Sequence, residues 1–230
     1  MMSLLRRWVW WTLDYAYAGV WQARAFLNRT RPSAFWTGGG VPIVVIPGVY
    51  ETWKFLQPLI VALHERGHPV HVVDPLQNNR IPVDRAARLV EQHLVAHDLH
   101  DVILVAHSKG GLIGKHLMAF GAGAARVRGM VAVASPFGGS RYAALMVSAT
   151  LRSFSPRNAT ILALARETAI NARITSVYAA FDPHIPGGSE LAGAKNVRLE
   201  TGGHFRVLAH PRVVGEVAAM AEHAHGHAAH

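Results

Sequence analysis

The sequence predicts an α/β fold, a three-layer α/β/α sandwich on a mostly parallel sheet of about six strands. Three observations carry this expectation. Between residues 41 and 222, short runs rich in Val, Ile and Leu alternate with segments whose apolar residues recur every three or four positions. The first run, Val41–Ile46, is continuously apolar, as a strand buried on both faces requires. Turn-forming residues, Pro47-Gly48, Gly67 and Asp74-Pro75, stop the first elements where the pattern changes. Alternation of this kind closes by right-handed crossovers and places functional loops at the carboxyl ends of the strands.

Each element has its own warrant. Trp53 to Arg66 carries Phe55, Leu56, Leu59, Ile60 and Leu63 at helical spacing and closes on Gly67. Val70–Val73 reads as a second strand. Val83, Ala86, Ala87, Val90, Leu94 and His97 repeat at three and four residues, with Asp84 as an N-cap or first-turn acid. Val102–Val105 is a third strand, Leu112 to Phe120 a helix, and Met130–Ala134 a fourth strand. Two later strands fall at Thr175–Phe181 and Val197–Leu199, and a last helix runs from Pro211 to about Glu222. No internal repeat is visible.

The chain divides into an aromatic-rich helix and linker over residues 1–35, an α/β domain over 36–222, and a tail over 223–230. Residues 137–172 stand apart as a small cap insertion. Trp8, Trp10, Trp11, Tyr15, Tyr17 and Trp21 sit among aliphatic residues and arginines. A helix over this stretch packs on the protein's own core or a twin subunit, lies on a membrane surface through residues 1–31, or is an export or spanning segment. Asp14 and Arg24 interrupt the best spanning window, Trp8 to Leu27. At the other end His223, His225, His227 and His230 lie in an Ala/Gly tail with no carboxylate or strand to fix a metal, and read as a frayed terminus.

Composition narrows the function classes. The 230 residues contain no cysteine, which excludes a disulfide scaffold, a thiol nucleophile and cysteine-ligated metals. It leaves the compartment open, with a membrane-associated or cytoplasmic setting favoured over secretion. Twenty-three basic against fourteen acidic residues give a net charge of +9. The excess is spread along the chain, with no compact basic run beyond Arg6-Arg7 and Arg29–Arg31, so nucleic acid is not the expected partner.

The sharpest signal is Val105-Ala106-His107-Ser108-Lys109-Gly110-Gly111, at a strand-to-helix junction. In such a turn the central residue is strained, and small residues two before and two after it let the chain close. Ala106 and Gly110 hold those places around Ser108, whose hydroxyl is thereby raised above a helix N-terminus. A serine needs a base, an acid to orient that base, and donors for an oxyanion. Asp182 is the only acidic residue that ends a late strand; Asp74 ends an early one and ranks a distant second. Of fifteen histidines, His204 follows the last strand behind Gly202-Gly203, where it can return over the sheet. His184 lies too close to Asp182 in sequence to receive that carboxylate and reach Ser108 easily, and His107 should point away from the pocket. The backbone N–H groups of Lys109 and Val49 are the expected oxyanion donors.

These residues resemble the α/β-hydrolase superfamily, and within it small bacterial lipases and esterases of minimal size. The resemblance covers roughly Val41 to Val217. It rests on Ile46-Pro47-Gly48, Ala106-His107-Ser108-Lys109-Gly110-Gly111, Ser135-Pro136-Phe137-Gly138-Gly139-Ser140, the strand ending at Asp182, and Ala194-Lys195-Asn196-Val197 leading to Gly202-Gly203-His204. The order Ser, Asp, His is the family's order. Three positions depart from the common pattern: Ala106 in place of Gly, Pro47 where many relatives carry His, and Lys109 where Met or Gln is usual.

The resulting expectation is a serine carboxylic-ester hydrolase that needs no cofactor or metal and acts on lipophilic esters. Ser108, Asp182 and His204 form its triad, and Tyr50, Trp53 and Phe137 are candidates for the pocket wall, Trp53 equally for the core. The apolar halves of the cap, Tyr142–Val147 and Ile161–Ala165, either roof this pocket or simply cover the sheet edge. An acyltransferase using the same triad, or a non-catalytic membrane-associated binding protein of the same fold, are the alternatives.

Overall fold

The computed structural model describes residues 4–222, so the histidines of the tail lie outside the described residues. The chain opens with α1 (Leu4–Leu27) and then alternates: β1 (Ile43–Ile46), α2 (Gln57–His64), β2 (Val70–Val72), α3 (Val83–Ala96), β3 (Val102–His107), α4 (Lys109–Phe120) and β4 (Val127–Val133). Two cap helices, α5 (Ala149–Arg152) and α6 (Ala159–Arg166), precede β5 (Ile174–Phe181), β6 (Lys195–Gly202) and α7 (Pro211–Glu222). All six strands are parallel, in the order β2-β1-β3-β4-β5-β6.

Period-two alternation sends successive side chains of each strand into opposite layers. Ile43 and Val45 of β1, with Ile103 and Val105 of β3, pack with Leu59 and Leu63 of α2 and Val213 and Val217 of α7. Val44 and Ile46, with Leu104 and Ala106, pack with Ala86, Val90 and Leu94 of α3 and with Leu112 and Ile113 of α4. Both faces of the central strands are therefore dry, which is why β1 reads as a continuous apolar run.

Element boundaries shift for local reasons. The predicted helix over 53–66 begins as a 3-10 turn, Trp53–Leu56, and becomes α-helical only at Gln57. Pro58 sits in the first turn of α2, where its missing N–H is tolerated and further in would not be. β4 starts at Val127, three residues earlier than its apolar run, because Val127 and Gly129 already pair with Val102 and Ile103 of β3, across a register shift at Arg128. β6 is an edge strand whose exposed polar residues hide its true length of eight.

The aromatic helix α1 packs on this protein's own core. Tyr17, Ala18, Trp21 and Ala25 join the layer made by α2 and α7, while Leu4, Leu5, Trp8, Phe26 and Leu27 remain exposed. Among the described residues no helix is long and apolar enough to cross a membrane.

Strand order reverses at β1: β2 lies on one side of it and β3 on the other. The crevice outside the carboxyl ends of β1 and β3 is the switch point where open α/β sheets place their ligands. Two sequence features converge there: Pro47-Gly48-Val49-Tyr50 leaves β1, and Ser108 leaves β3.

Candidate active site

Ser108 stands between β3 and α4 with φ 49° and ψ −118°. A non-glycine residue at positive φ is strained, and the surroundings must hold it there. They do: the Ser108 N–H donates to the Val133 carbonyl at 2.8 Å, and its own carbonyl accepts from the Gly111 N–H at 3.0 Å. Gly110 permits the close turn, since a Cβ there would lie 2.3 Å from the Ile46 carbonyl oxygen. Ala106, by contrast, sits in the ladder opposite Ile46 and Ala132, where a methyl group fits.

Asp182 follows β5 and His204 follows β6, neighbouring strands whose pairing brings the two together. His204 Nδ1 lies 2.8 Å from Asp182 Oδ2, while Oδ1 of Asp182 accepts the N–H groups of His184 and Ile185. This arrangement assigns the Nδ1 proton of His204 and leaves Nε2 free to act as a base. Burial opposes charge on the His204 ring, but the Asp182 carboxylate and its hydrogen bond, with Glu51 and Asp14 behind them, hold its pKa above the usual imidazole value. Burial also pushes Asp182 upward, yet the charge and hydrogen bond of His204 keep its pKa below the ordinary carboxylate range.

Ser108 and His204 line one cavity of about 710 Å³, a size suited to a small organic ligand. Among the described residues no hydrogen bond joins their side chains. Catalytic contacts of this type are often long without substrate and tighten on binding. The cavity wall is largely apolar: Trp11, Tyr15 and Ala18 come from α1, Met146, Leu151 and Phe154 from the cap. The first half of the cap thus borders the cavity. In its second half, Ile161 and Leu164 of α6 are buried in the layer formed by α3 and α4.

Val49 and Tyr50 line the cavity where the chain leaves β1. The N–H of Gly48 donates to Glu51 Oε2 and that of Tyr50 to the Asn78 carbonyl, which fixes the turn on both sides of Val49. Lys109 opens α4, so its N–H belongs to the first-turn amides that have no partner within the helix. Its side chain is buried and donates to the carbonyls of Asn79 and Ile81. Burial pulls its pKa down to about 8. Lys109 is therefore an anchor for the 79–81 segment beside the β1 turn.

Two expected wall residues lie elsewhere. Trp53 is packed in the core against Phe35, and its Nε1–H donates to Asp74 at 3.1 Å. Phe137 is buried against the α4 layer, with the Lys115 ammonium near its ring. An aromatic residue close to a strand end faces core or cavity according to the turn it sits on, which spacing alone does not fix. Asp74, taken up by Trp53, follows β2 on the far side of β1 from β5 and β6. His184 borders the cavity with its Nε2 3.0 Å from the Tyr15 hydroxyl. Burial first, and the neighbouring His204 second, lower its pKa to about 4.

Sequence reasoning missed a buried framework around His204. His107 does turn away from the cavity, and it bridges Glu51 Oε2 at 2.8 Å and the His204 carbonyl at 2.9 Å. A carbonyl only accepts, so Nε2 of His107 donates to it. Asp14 of α1 is also buried at this loop.

No family model matches the sequence, and comparison with curated proteins gives no match. Solved structures do resemble it. An α/β-hydrolase from the metagenome of lagoon sediments at Mar Chica, Morocco, has a TM-score of 0.55 at 18% identity, over 80% of this chain and 90% of that one. A monoacylglycerol lipase of Paleococcus ferrophilus gives 0.59 at 15%, over 80% and 97%. The Bacillus licheniformis lipase BlEst2 in mature form gives 0.61 at 14%, over 84% and 95%. With the six-stranded parallel sheet, these likenesses establish that the chain has the α/β-hydrolase fold.

Proposed function

We propose that this protein is a serine carboxylic-ester hydrolase of the lipase or esterase type. The observation that carries the reading is His204, paired with Asp182 at 2.8 Å and lining the same cavity as a serine held at positive φ above a helix N-terminus. Ser108 Oγ attacks the ester carbonyl while His204 Nε2 takes its proton. Asp182 keeps the ring in the required tautomer and stabilises the imidazolium. The N–H groups of Val49 and Lys109 receive the charge that develops on the carbonyl oxygen. His204 returns its proton to the leaving alcohol, and water then attacks the acyl-enzyme by the same route in reverse. The apolar wall from α1 and the cap supports a lipophilic acyl group as substrate. The solved relatives described as lipases support the same class by fold.

A fluorophosphonate probe tests the reading. The expected result is one covalent adduct by intact mass, absent from the Ser108→Ala variant. An unmodified wild-type chain, or equal labelling of both forms, overturns it.

A further inference from the structure

Asp14 is the one acidic residue of α1, and it is fully buried. Its carboxylate accepts three consecutive backbone N–H groups from the loop that carries the candidate base. Oδ2 receives His204 N–H, and Oδ1 receives Phe205 N–H and Arg206 N–H, all at 2.8 Å. Residues 206–209 form a 3-10 turn, so the carboxylate also sits where the unpaired amides of that turn converge. The contact crosses 190 residues of sequence.

The loop is shaped to receive α1. Gly202 and Gly203 are where the helix lies closest: a Cβ on Gly202 would meet the Trp10 ring at 2.3 Å, and one on Gly203 would meet Asp14 Oδ1 at 2.4 Å. Trp10 and Asp14 are four residues apart and share one face of α1. The peptide groups of His204 are therefore gripped from two sides, its N–H by Asp14 and its C=O by His107.

We infer that Asp14 is a positioning residue for His204, holding the base in register with Asp182 and Ser108 through the backbone of residues 204–206. This rests on the hydrolase reading above. Among the described residues Asp14 hydrogen-bonds to the backbone of this loop and not to the His204 ring or Ser108. With Asn in its place, the one remaining oxygen serves at most the Phe205 and Arg206 N–H groups while an NH2 faces the His204 N–H, and the loop relaxes away from α1. A shift of the base by a fraction of an ångström weakens the transition state more than substrate binding, so the loss falls on kcat.

The titratable and charged groups in the neighbourhood of the His204 ring are Asp182 and His184 after β5, Glu51 after β1, His107 of β3, Asp14 and Tyr15 of α1, and Arg206 of the same loop. After Asp182 and Glu51, Asp14 is the smallest of the negative charges that favour the imidazolium, so its neutralisation moves the acid limb of activity slightly to lower pH. A purely structural role for α1 would not move that midpoint.

The test compares the full-length chain with Asp14→Asn, Asp14→Glu and Trp21→Ala. The last variant weakens α1 docking away from the cavity and controls for stability. Folded fraction is read by near-UV circular dichroism, and kcat, KM and the pH profile are measured per folded molecule on a p-nitrophenyl ester. Expected are a kcat loss on the order of tenfold to a hundredfold in Asp14→Asn with little change in KM. Its acid limb moves to lower pH. Asp14→Glu keeps the acid limb while losing kcat, and Trp21→Ala keeps both. Wild-type kcat in Asp14→Asn, a loss that falls on KM instead of kcat, or equal effects in Trp21→Ala would overturn the inference. Where Asp14→Asn does not fold, Asp14→Glu decides, and wild-type kcat in it counts against the assignment. Failure of the hydrolase reading is separate, since it appears as a wild-type chain that the fluorophosphonate does not modify.

Discussion

Gly110 offers a severe local test of the nucleophile turn. An alanine Cβ would stand 2.3 Å from the Ile46 carbonyl oxygen, 3.0 Å from its carbon and 3.1 Å from the Pro47 oxygen. All three obstacles are backbone, and Ile46 belongs to β1, which is bonded on both sides by β2 and β3. The strand cannot retreat without breaking ladders, so the start of α4 has to move. Ordinary contact needs a displacement of about 1 Å in a close-packed interior. Overpacking of this kind costs about 1–3 kcal/mol, which lowers Tm by roughly 2–12 °C in a chain of this size. The same movement carries Ser108 with it, and an error of about 1 Å at a reacting atom costs on the order of a hundredfold in rate. Calorimetry and kcat/KM on a p-nitrophenyl ester measure the two effects, with Gly39→Ala as control because nothing lies within 4 Å of a Cβ there. Gly110→Ala with wild-type Tm and kcat/KM would refute the argument from crowding at this turn.

Two further outcomes follow from the charges around the base. His204 acts as a base only when neutral and its pKa is raised, so kcat/KM should fall with decreasing pH through a midpoint above about 6.5, the ordinary imidazole value. Asp182, whose pKa is depressed, stays ionised throughout that interval; a midpoint below 6 would contradict the pairing. Glu51→Ala removes the acceptor shared by the Gly48 N–H and His107, and breaking such a buried pair costs about 3–5 kcal/mol. Urea unfolding reads the loss directly, and a change under about 1 kcal/mol would mean that the pair carries little net stabilisation.

The sheet was legible wherever burial is two-sided. β1 and β3 are dry on both faces, so their residues form continuous apolar runs that period-two reasoning recognises. β6 has one exposed, polar face and only one neighbour, which reduced its signal to Val197–Leu199. Strand order was not legible. It depends on which crossover passes over which face, a choice that no single element encodes. The placement of Ser108, Asp182 and His204 was legible for a different reason: each follows the carboxyl end of a parallel strand, β3, β5 or β6, and those ends all lie at one edge of the sheet. Trp53 and Phe137 were assigned to the cavity by proximity in sequence to such ends, and packing sent both inward.

The helix α1 shows where reading by composition misleads. Taken as an apolar segment, its Asp14 is a defect that spoils a membrane span. Taken by position, the residue has a place: Trp10, Asp14, Tyr17, Trp21 and Ala25 recur at three and four residues along one face. That face is the one that docks, since Tyr17, Trp21 and Ala25 enter the core and Trp10 lies on Gly202. A carboxylate in the middle of a docking face is tolerated only if donors await it, because burying it unpaired costs several kcal/mol. A carboxylate there needs a cluster of donors, charged side chains or backbone N–H groups, on the element it docks against. The amides of residues 204–206 are that cluster. An acid that is an anomaly in a membrane segment is thus in place in a helix whose partner is the loop bearing His204.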